Sequence, residues 1–124
     1  MSSVDAILCM TCVAIVVTLY AERLAMRYAV RDLLTAICRL NSVSGCIFAD
    51  SDDICSPENF LNDTGVQARW CRYEGHFRTA LEELKAVYLR CKGMHCPDAE
   101  LMAAAREAID AGELIEARFR SVSL

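Results

Sequence analysis

AILCMTCVAIVVTLYA, residues 6–21, is the stretch that decides the fold, because it contains sixteen consecutive residues without a charge. As an α-helix it would be about 24 Å long, slightly shorter than a bilayer hydrocarbon core of about 30 Å. Ser2 or Ser3 can cap its start, and helical spacing of apolar residues continues past Ala21 to Leu40. The sequence therefore predicts a membrane-spanning helix that begins near Val4.

Two other interpretations of this stretch stay open. A secretory signal would need a positively charged segment before the apolar residues, and the chain has Met-Ser-Ser-Val-Asp there. A core helix of a soluble bundle would instead be covered by the later helices of the same chain. Length and flanking residues favour the membrane span over both.

Small residues form a row inside the apolar stretch, with alternating spacings of three and four. This spacing places them on one face of a helix, where small side chains let another membrane helix approach closely. We expect this row to be a helix-packing face; its members are Thr11, Ala14, Thr18, Ala21 and Ala25.

Composition limits the class of protein. A chain of 124 residues has room for one small domain beyond a span, and a hydrophobic content of 55% is typical of membrane or well-packed helical proteins. The net charge is −4, and basic segments alternate with acidic ones along the chain. Without a surplus basic face, nucleic-acid binding is not expected.

The eight cysteines are far more than average usage predicts, and six of them follow the apolar stretch. In an oxidising compartment an even number predicts a disulfide framework, whose candidates are Cys38, Cys46, Cys55, Cys71, Cys91 and Cys96. A bond between Cys71 and Cys91 is excluded if both lie in one helix, about 30 Å apart. The alternative is free thiols packed as small apolar side chains.

Turn and capping signals divide the rest of the chain into helices. The first helix should end at Asn41–Gly45, and Ser56-Pro57 predicts one or two helical turns through Asn62. Thr64-Gly-Val-Gln67 fits a capping box that starts a long helix, which Gly93 should close. A last helix is predicted over residues 98–120, with Gly112 as a possible break and an ion pair between Glu116 and Arg120.

The helix after Thr64 has the clearest apolar periodicity. Its aromatic and aliphatic residues recur every seven positions on two neighbouring lines. We expect this face to be the core or a partner-helix face; its members are Trp70, Phe77, Leu84, Tyr73 and Val87.

Three groups of residues resemble reactive or metal-binding sites. Cys9 and Cys12 have the spacing of a redox dithiol, but they lie in an uncharged helix that does not favour a thiolate. Cys91, His95 and Cys96 lack a fourth zinc ligand at a usual spacing. The acidic residues near Asp50 lack the glycine and glutamate of a calcium loop. We therefore predict no catalytic residue, no cofactor and no metal.

The sequence as a whole predicts an all-α protein with two parts. Residues 1–45 form a transmembrane helix and its extension, and residues 46–124 form a small cysteine-stapled helical domain with about three further helices. The predicted function is that of a non-catalytic accessory subunit of a multi-subunit membrane complex, acting in assembly or stability. Its partners would be other membrane subunits and the lipid bilayer, with no small-molecule substrate.

The mitochondrial inner membrane suits an unprocessed anchor joined to a cysteine-rich domain that faces the intermembrane space. One observation opposes this orientation, because Arg23, Arg27 and Arg31 follow the span directly and favour the matrix side. A respiratory or ATP synthase complex is the expected type. The alternatives are a secreted or cell-surface disulfide-stabilised ligand with a signal, for which Asn62-Asp-Thr64 offers a glycosylation acceptor, and a soluble helical adaptor.

Overall fold

Three long helices form the protein in a computed structural model that describes residues 2–48 and 64–122. Helix α1 spans Ser3–Phe48, α2 spans Thr64–Gly93 and α3 spans Ala99–Val122. These described residues contain no strand, so the predicted all-α class is confirmed. The predicted short helix, the acidic segment, Cys55 and Asn62 fall in residues 49–63, outside the described ranges.

Helix α1 is a single helix of 46 residues, about 69 Å long. Its start is capped as predicted, since the Asp5 backbone N–H donates to Ser2 Oγ at 3.3 Å and the Ser2 hydroxyl donates to the Asp5 carboxylate at 3.0 Å. The predicted end at Asn41–Gly45 is wrong. The helix continues because Ile47 is fully buried against α2 and its carbonyl accepts a hydrogen bond from Arg69 Nε at 2.8 Å. Tertiary packing outweighs the local turn propensity here.

Helices α1 and α2 are antiparallel neighbours. Near one end of the pair the Cys91 thiol lies against the carbonyl of Ala29, and near the other end Arg69 bonds Ile47. Between them, two ion pairs at the surface join Asp32 to Arg90 and Arg39 to Glu83. Exposed ion pairs stabilise a fold by only about 0–1 kcal/mol each. These two pairs therefore contribute more to the register between α1 and α2 than to the stability of the fold.

Helix α3 packs back along α2 in the opposite direction. Lys85 Nζ lies 3.0 Å from Glu113, and the Phe119 ring stacks on Trp70 with centroids 4.2 Å apart and nearly parallel planes. Asp98 caps the helix by accepting the Leu101 N–H at 3.0 Å. The predicted i,i+4 pair between Glu116 and Arg120 is present.

Gly112 does not divide α3, which is one continuous helix. The residue is buried, and a Cβ placed on it would lie 2.8 Å from Leu81 Cδ1 and 3.6 Å from Leu40 Cδ2. The absence of a side chain therefore lets α3 approach α1 and α2 closely.

The hydrophobic core begins only at Ala29 and draws on all three helices. Burying each large aliphatic or aromatic side chain contributes roughly 1.5–3 kcal/mol. Its fully or almost fully buried members are Ala29, Leu33, Ala36, Leu40 and Ile47 of α1, Val66, Trp70, Phe77, Ala80, Leu81, Leu84 and Cys91 of α2, and Ala105, Ile109 and Phe119 of α3.

Helix α2 ends at Gly93, as predicted, and the left-handed residue of the turn that follows is His95. No described glycine has a positive φ, whereas His95 has φ 56°. The His95 N–H donates to the carbonyl of Lys92 at 3.1 Å, and the Cys96 N–H donates to that of Cys91 at 3.1 Å. This is the Schellman arrangement, which brings the side chains at its two ends together. Cys96 is thereby placed beside the buried Cys91, and histidine occupies the position that usually favours glycine.

Candidate membrane anchor and helix-docking face

The first part of α1 is not covered by the rest of the described chain. Every residue from Ser2 to Ala25 is exposed, in contrast to the segment from Ala29 onward. Ten large apolar side chains project from residues 4–20, and the best covered of them is still 54% exposed. The helix is long and apolar enough to cross a membrane, and the window that qualifies is 0% buried. The interpretation as a core helix covered by the chain's own later helices has no support among the described residues.

The exposed apolar surface has a large free-energy consequence. Transfer of each such side chain out of water is worth roughly 1.5–3 kcal/mol, so the ten together are worth on the order of 15–30 kcal/mol. The net stability of a whole domain is only about 5–15 kcal/mol. A patch of this size would drive association in water unless a bilayer or another apolar helix covered it.

The predicted row of small residues lies within this exposed segment. Thr11, Ala14, Thr18, Ala21 and Ala25 are all exposed. The hydroxyl groups of Thr11 and Thr18 donate to the carbonyls of Ile7 and Ala14, each at 2.8 Å. The row is thus free of contacts from the described chain and has no hydroxyl donor that a partner must satisfy. Its role as a packing face stays a prediction.

The predicted apolar face of α2 lies mostly inside the fold. Trp70, Phe77 and Leu84 are buried, and the half-buried Tyr73 and Val87 pack against the same cluster. The Trp70 indole contacts Phe77 edge-on at 5.2 Å as well as stacking on Phe119. These residues hold α1, α2 and α3 together.

The cysteines do not staple the helices in the described part of the chain. All seven described cysteines are free, and the predicted disulfide framework is therefore not present among Cys38, Cys46, Cys71, Cys91 and Cys96. Cys38, Cys46 and Cys71 are exposed on the helices, and Cys71 and Cys91 lie in one helix as predicted. Among the described residues, the three helices are joined by the apolar core and not by covalent linkage.

Cys91 is the one described cysteine that is fully buried. Its thiol donates to the Ala29 carbonyl at 3.4 Å. Burial raises the pKa of this thiol above its ordinary value of 9.0; the neighbouring Cys96 and Asp32 act in the same direction, and Arg90 opposes them. A buried thiol of this kind is a poor nucleophile, because the thiolate is the reactive form.

The other candidate reactive or metal-binding residues lie on the helices or in the turn after α2. Cys9 and Cys12 are exposed in the apolar part of α1, without a charged residue between them. His95 and Cys96 belong to the turn after α2, and the described residues contain no group of three or more potential metal ligands. His76 is exposed on α2, with its ring 6.3 Å from that of Tyr73.

A groove that sequence reasoning missed runs between α1 and α2. It has a volume of about 330 Å³ and is lined by Arg39, Ser42, Val43 and Cys46 of α1 and by Tyr73, His76, Thr79, Ala80 and Glu83 of α2. Each wall contains residues at spacings of three and four. That spacing could be read in the sequence, but the pairing of the two walls depends on the tertiary register.

Comparison with protein-family models, curated proteins and solved structures finds no significant match to this chain.

Proposed function

We propose that this protein is a non-catalytic, single-pass accessory subunit of a larger membrane complex. The exposed apolar half of α1 supports this proposal, because its transfer free energy is too large for the segment to stay in water. Lipid covers most of that half, and the row of small residues packs against other membrane helices. The bundle of α2, α3 and the rest of α1 stands at the membrane surface and helps to assemble or stabilise the complex.

We further propose the mitochondrial inner membrane as the location and a respiratory or ATP synthase complex as the assembly. The expectation that the bundle faces the intermembrane space was based on predicted disulfides, and the described cysteines are free. Arg23, Arg27 and Arg31 follow the span and are exposed, and positive residues beside a span favour the inner side. The proposed orientation therefore places the bundle in the matrix.

Alkaline carbonate extraction of membranes tests the span. We expect the natural chain to stay with the membrane, and Val13→Lys to shift it toward the soluble fraction. A lysine at the centre of a span costs about 2.5–3.5 kcal/mol. Leu34→Lys is the matched control, because Leu34 is an exposed apolar residue of the same helix beyond the apolar segment. Complete release of the natural chain by carbonate would contradict the span and favour the soluble adaptor.

Native electrophoresis in mild detergent tests the accessory role. We expect the chain to migrate with a complex much larger than 13.8 kDa. Deletion of the gene that encodes this chain should reduce the amount of that complex and leave the catalytic rate per assembled complex unchanged. A complex that assembles to the same amount without the chain would contradict the proposal. Fractionation of organelles, followed by protease treatment of intact mitochondria and mitoplasts, tests the location and the orientation.

A further inference from the structure

The turn after α2 places two cysteines side by side. The Cys96 N–H donates to the Cys91 carbonyl at 3.1 Å, and His95 between them is the left-handed residue that reverses the chain. A backbone hydrogen bond of this length keeps the two Cα atoms within about 7 Å, close to the range of about 4.4–6.8 Å that a disulfide requires. In a Schellman turn the side chains at these two positions also contact each other.

The two thiols share one apolar environment. Cys91 is fully buried in the core, and the half-buried Cys96 packs against the same cluster. Cys96 is also one of the groups that raise the pKa of the Cys91 thiol, which indicates independently of the backbone that the two sulfur atoms are neighbours. Both residues are free thiols in the structure, so the pair is in its reduced form.

Other described cysteines lack this combination of proximity and setting. Cys38 and Cys46 are eight residues apart on α1, about 12 Å, and neither can reach the other. Cys9 and Cys12 lie close together, but their segment of α1 is uncharged and apolar and does not favour the thiolate that starts thiol oxidation.

We propose that Cys91 and Cys96 are a redox-active thiol pair, which hydrogen peroxide converts to a disulfide and a dithiol reductant restores. This modification site goes beyond the proposed accessory role and does not depend on the membrane span.

Hydrogen peroxide reacts first with Cys96, because Cys96 is half-buried and Cys91 has no exposed surface. The Cys96 thiolate attacks one peroxide oxygen, and the S–O bond forms as the O–O bond breaks. The second oxygen leaves as hydroxide and takes up the proton that the Cys96 thiol has lost. The products are a sulfenic acid on Cys96 and one water molecule.

The Cys91 thiol completes the reaction. Its sulfur attacks the Cys96 sulfur, the S–S bond forms as the S–O bond breaks, and the hydroxyl group leaves with the Cys91 proton as a second water. The two thiols thereby lose two electrons and two protons, and the peroxide is reduced to water. Burial makes Cys91 a poor nucleophile toward molecules in solution, but a group held in the same turn reacts at a high effective concentration. A dithiol reductant returns two electrons and two protons by thiol–disulfide exchange and becomes a disulfide itself.

Oxidation of the pair changes a contact between α2 and α1. In the reduced form the Cys91 thiol donates to the Ala29 carbonyl at 3.4 Å. Ala29 is the first buried residue of α1 after the exposed apolar segment. Disulfide formation removes the donated proton, so this hydrogen bond between α2 and α1 is lost while a covalent bond closes the turn between α2 and α3.

Peptide mapping of the full-length chain in mild detergent tests the pair. After treatment with a small excess of hydrogen peroxide, free thiols are blocked and the chain is digested with trypsin, which cleaves after Arg90 and Lys92. We expect the dipeptide Cys91-Lys92 to be linked to the peptide of residues 93–106, and the link to disappear with dithiothreitol. This product should be about tenfold more abundant than any other linked pair of cysteine peptides, because its two thiols share one turn.

Two variants separate the roles of the two thiols. In Cys91→Ala no neighbour attacks the sulfenic acid on Cys96, so dimedone should label Cys96 about tenfold more than in the natural chain. In Cys96→Ser, Cys91 should stay reduced under the same treatment. Cys38→Ala is the matched control, since Cys38 is an exposed cysteine of another helix, and it should leave the linked product unchanged. Circular dichroism verifies the helical content of each variant.

The mapping of the natural chain decides the proposal even if a variant fails to fold. A predominant link between Cys91 and Cys96 supports it. Cys96 that stays fully reduced, pairs mainly with another cysteine or accumulates as sulfinic acid overturns it. Oxidation of Cys91 in Cys96→Ser to the same extent as in the natural chain overturns the proposed order of attack. None of these results depends on carbonate extraction, so the thiol pair and the proposed function can fail separately.

Discussion

Alanine replacement at two glycines measures how closely α3 approaches its neighbours. Gly75 and Gly112 both lie inside helices, so alanine should gain about 1 kcal/mol of helix propensity at each position. A Cβ at Gly75 meets nothing within 4 Å, and we expect Gly75→Ala to stabilise the bundle by about that amount.

At Gly112 the same methyl group meets the core. The new Cβ would lie 2.8 Å from Leu81 Cδ1, and Leu81 is fully buried, so its side chain has no open solvent to move into. Overpacking of a core costs about 1–3 kcal/mol. After the propensity gain, Gly112→Ala should be neutral or destabilising by up to about 2 kcal/mol. The two variants should therefore differ in unfolding free energy by about 1–3 kcal/mol.

Urea unfolding of the full chain in mild detergent measures this difference. The chain has one tryptophan, Trp70, and its stacking on Phe119 makes its fluorescence a reporter of α3 packing. If the unfolding free energy falls with urea concentration at the same slope in both variants, both expose the same surface on unfolding, and the difference between them is one of stability. If Gly112→Ala stabilised the bundle as much as Gly75→Ala does, the close approach of α3 would be refuted.

Three further changes test the bundle. Trp70→Ala should lower the unfolding free energy by about 3–5 kcal/mol, because a buried aromatic side chain is lost. Urea unfolding followed by circular dichroism measures this change, and a decrease below about 1 kcal/mol would contradict the packing of Trp70. His95→Gly should stabilise it by about 0.5–1 kcal/mol by relieving the positive φ, seen as a higher Tm; an unchanged or lower Tm would oppose the Schellman turn. Because the Cys91 pKa is raised in the fold, its contribution is complete below pH 9.0 and is lost as the pH rises further, so unfolding free energy should fall above pH 9.0. Cys91→Ala should remove this part of the fall, and an unchanged pH profile in that variant would contradict the buried thiol.

The sequence predicted those features that depend on local patterns. The heptad of Trp70, Phe77 and Leu84 identified residues that the structure buries, and Ser2 and Thr64 stand at the beginning of helices as expected. Such features need only nearby residues, because capping and periodicity act within one or two turns.

Features that depend on tertiary contacts were missed. Gly45 lies in a run of turn formers, yet burial of Ile47 keeps the helix intact. Gly112 was expected to be a break, but its missing side chain makes room for Leu81. The disulfide framework was inferred from the cysteine count, which cannot distinguish a covalent pair from a packed thiol such as Cys91. In each case the deciding neighbour is distant in sequence.

Helix α1 has two successive segments, an exposed apolar one and one that is packed against the other helices. Its core face begins at Ala29, so substitutions in residues 2–25 should change membrane association without changing the bundle's own core. Substitutions at Leu33 or Leu40 should do the reverse, because these side chains are buried against the other helices. Because α1 is one uninterrupted helix over Ser3–Phe48, the two segments share one axis, and the direction in which the bundle points is set by the direction of the apolar segment.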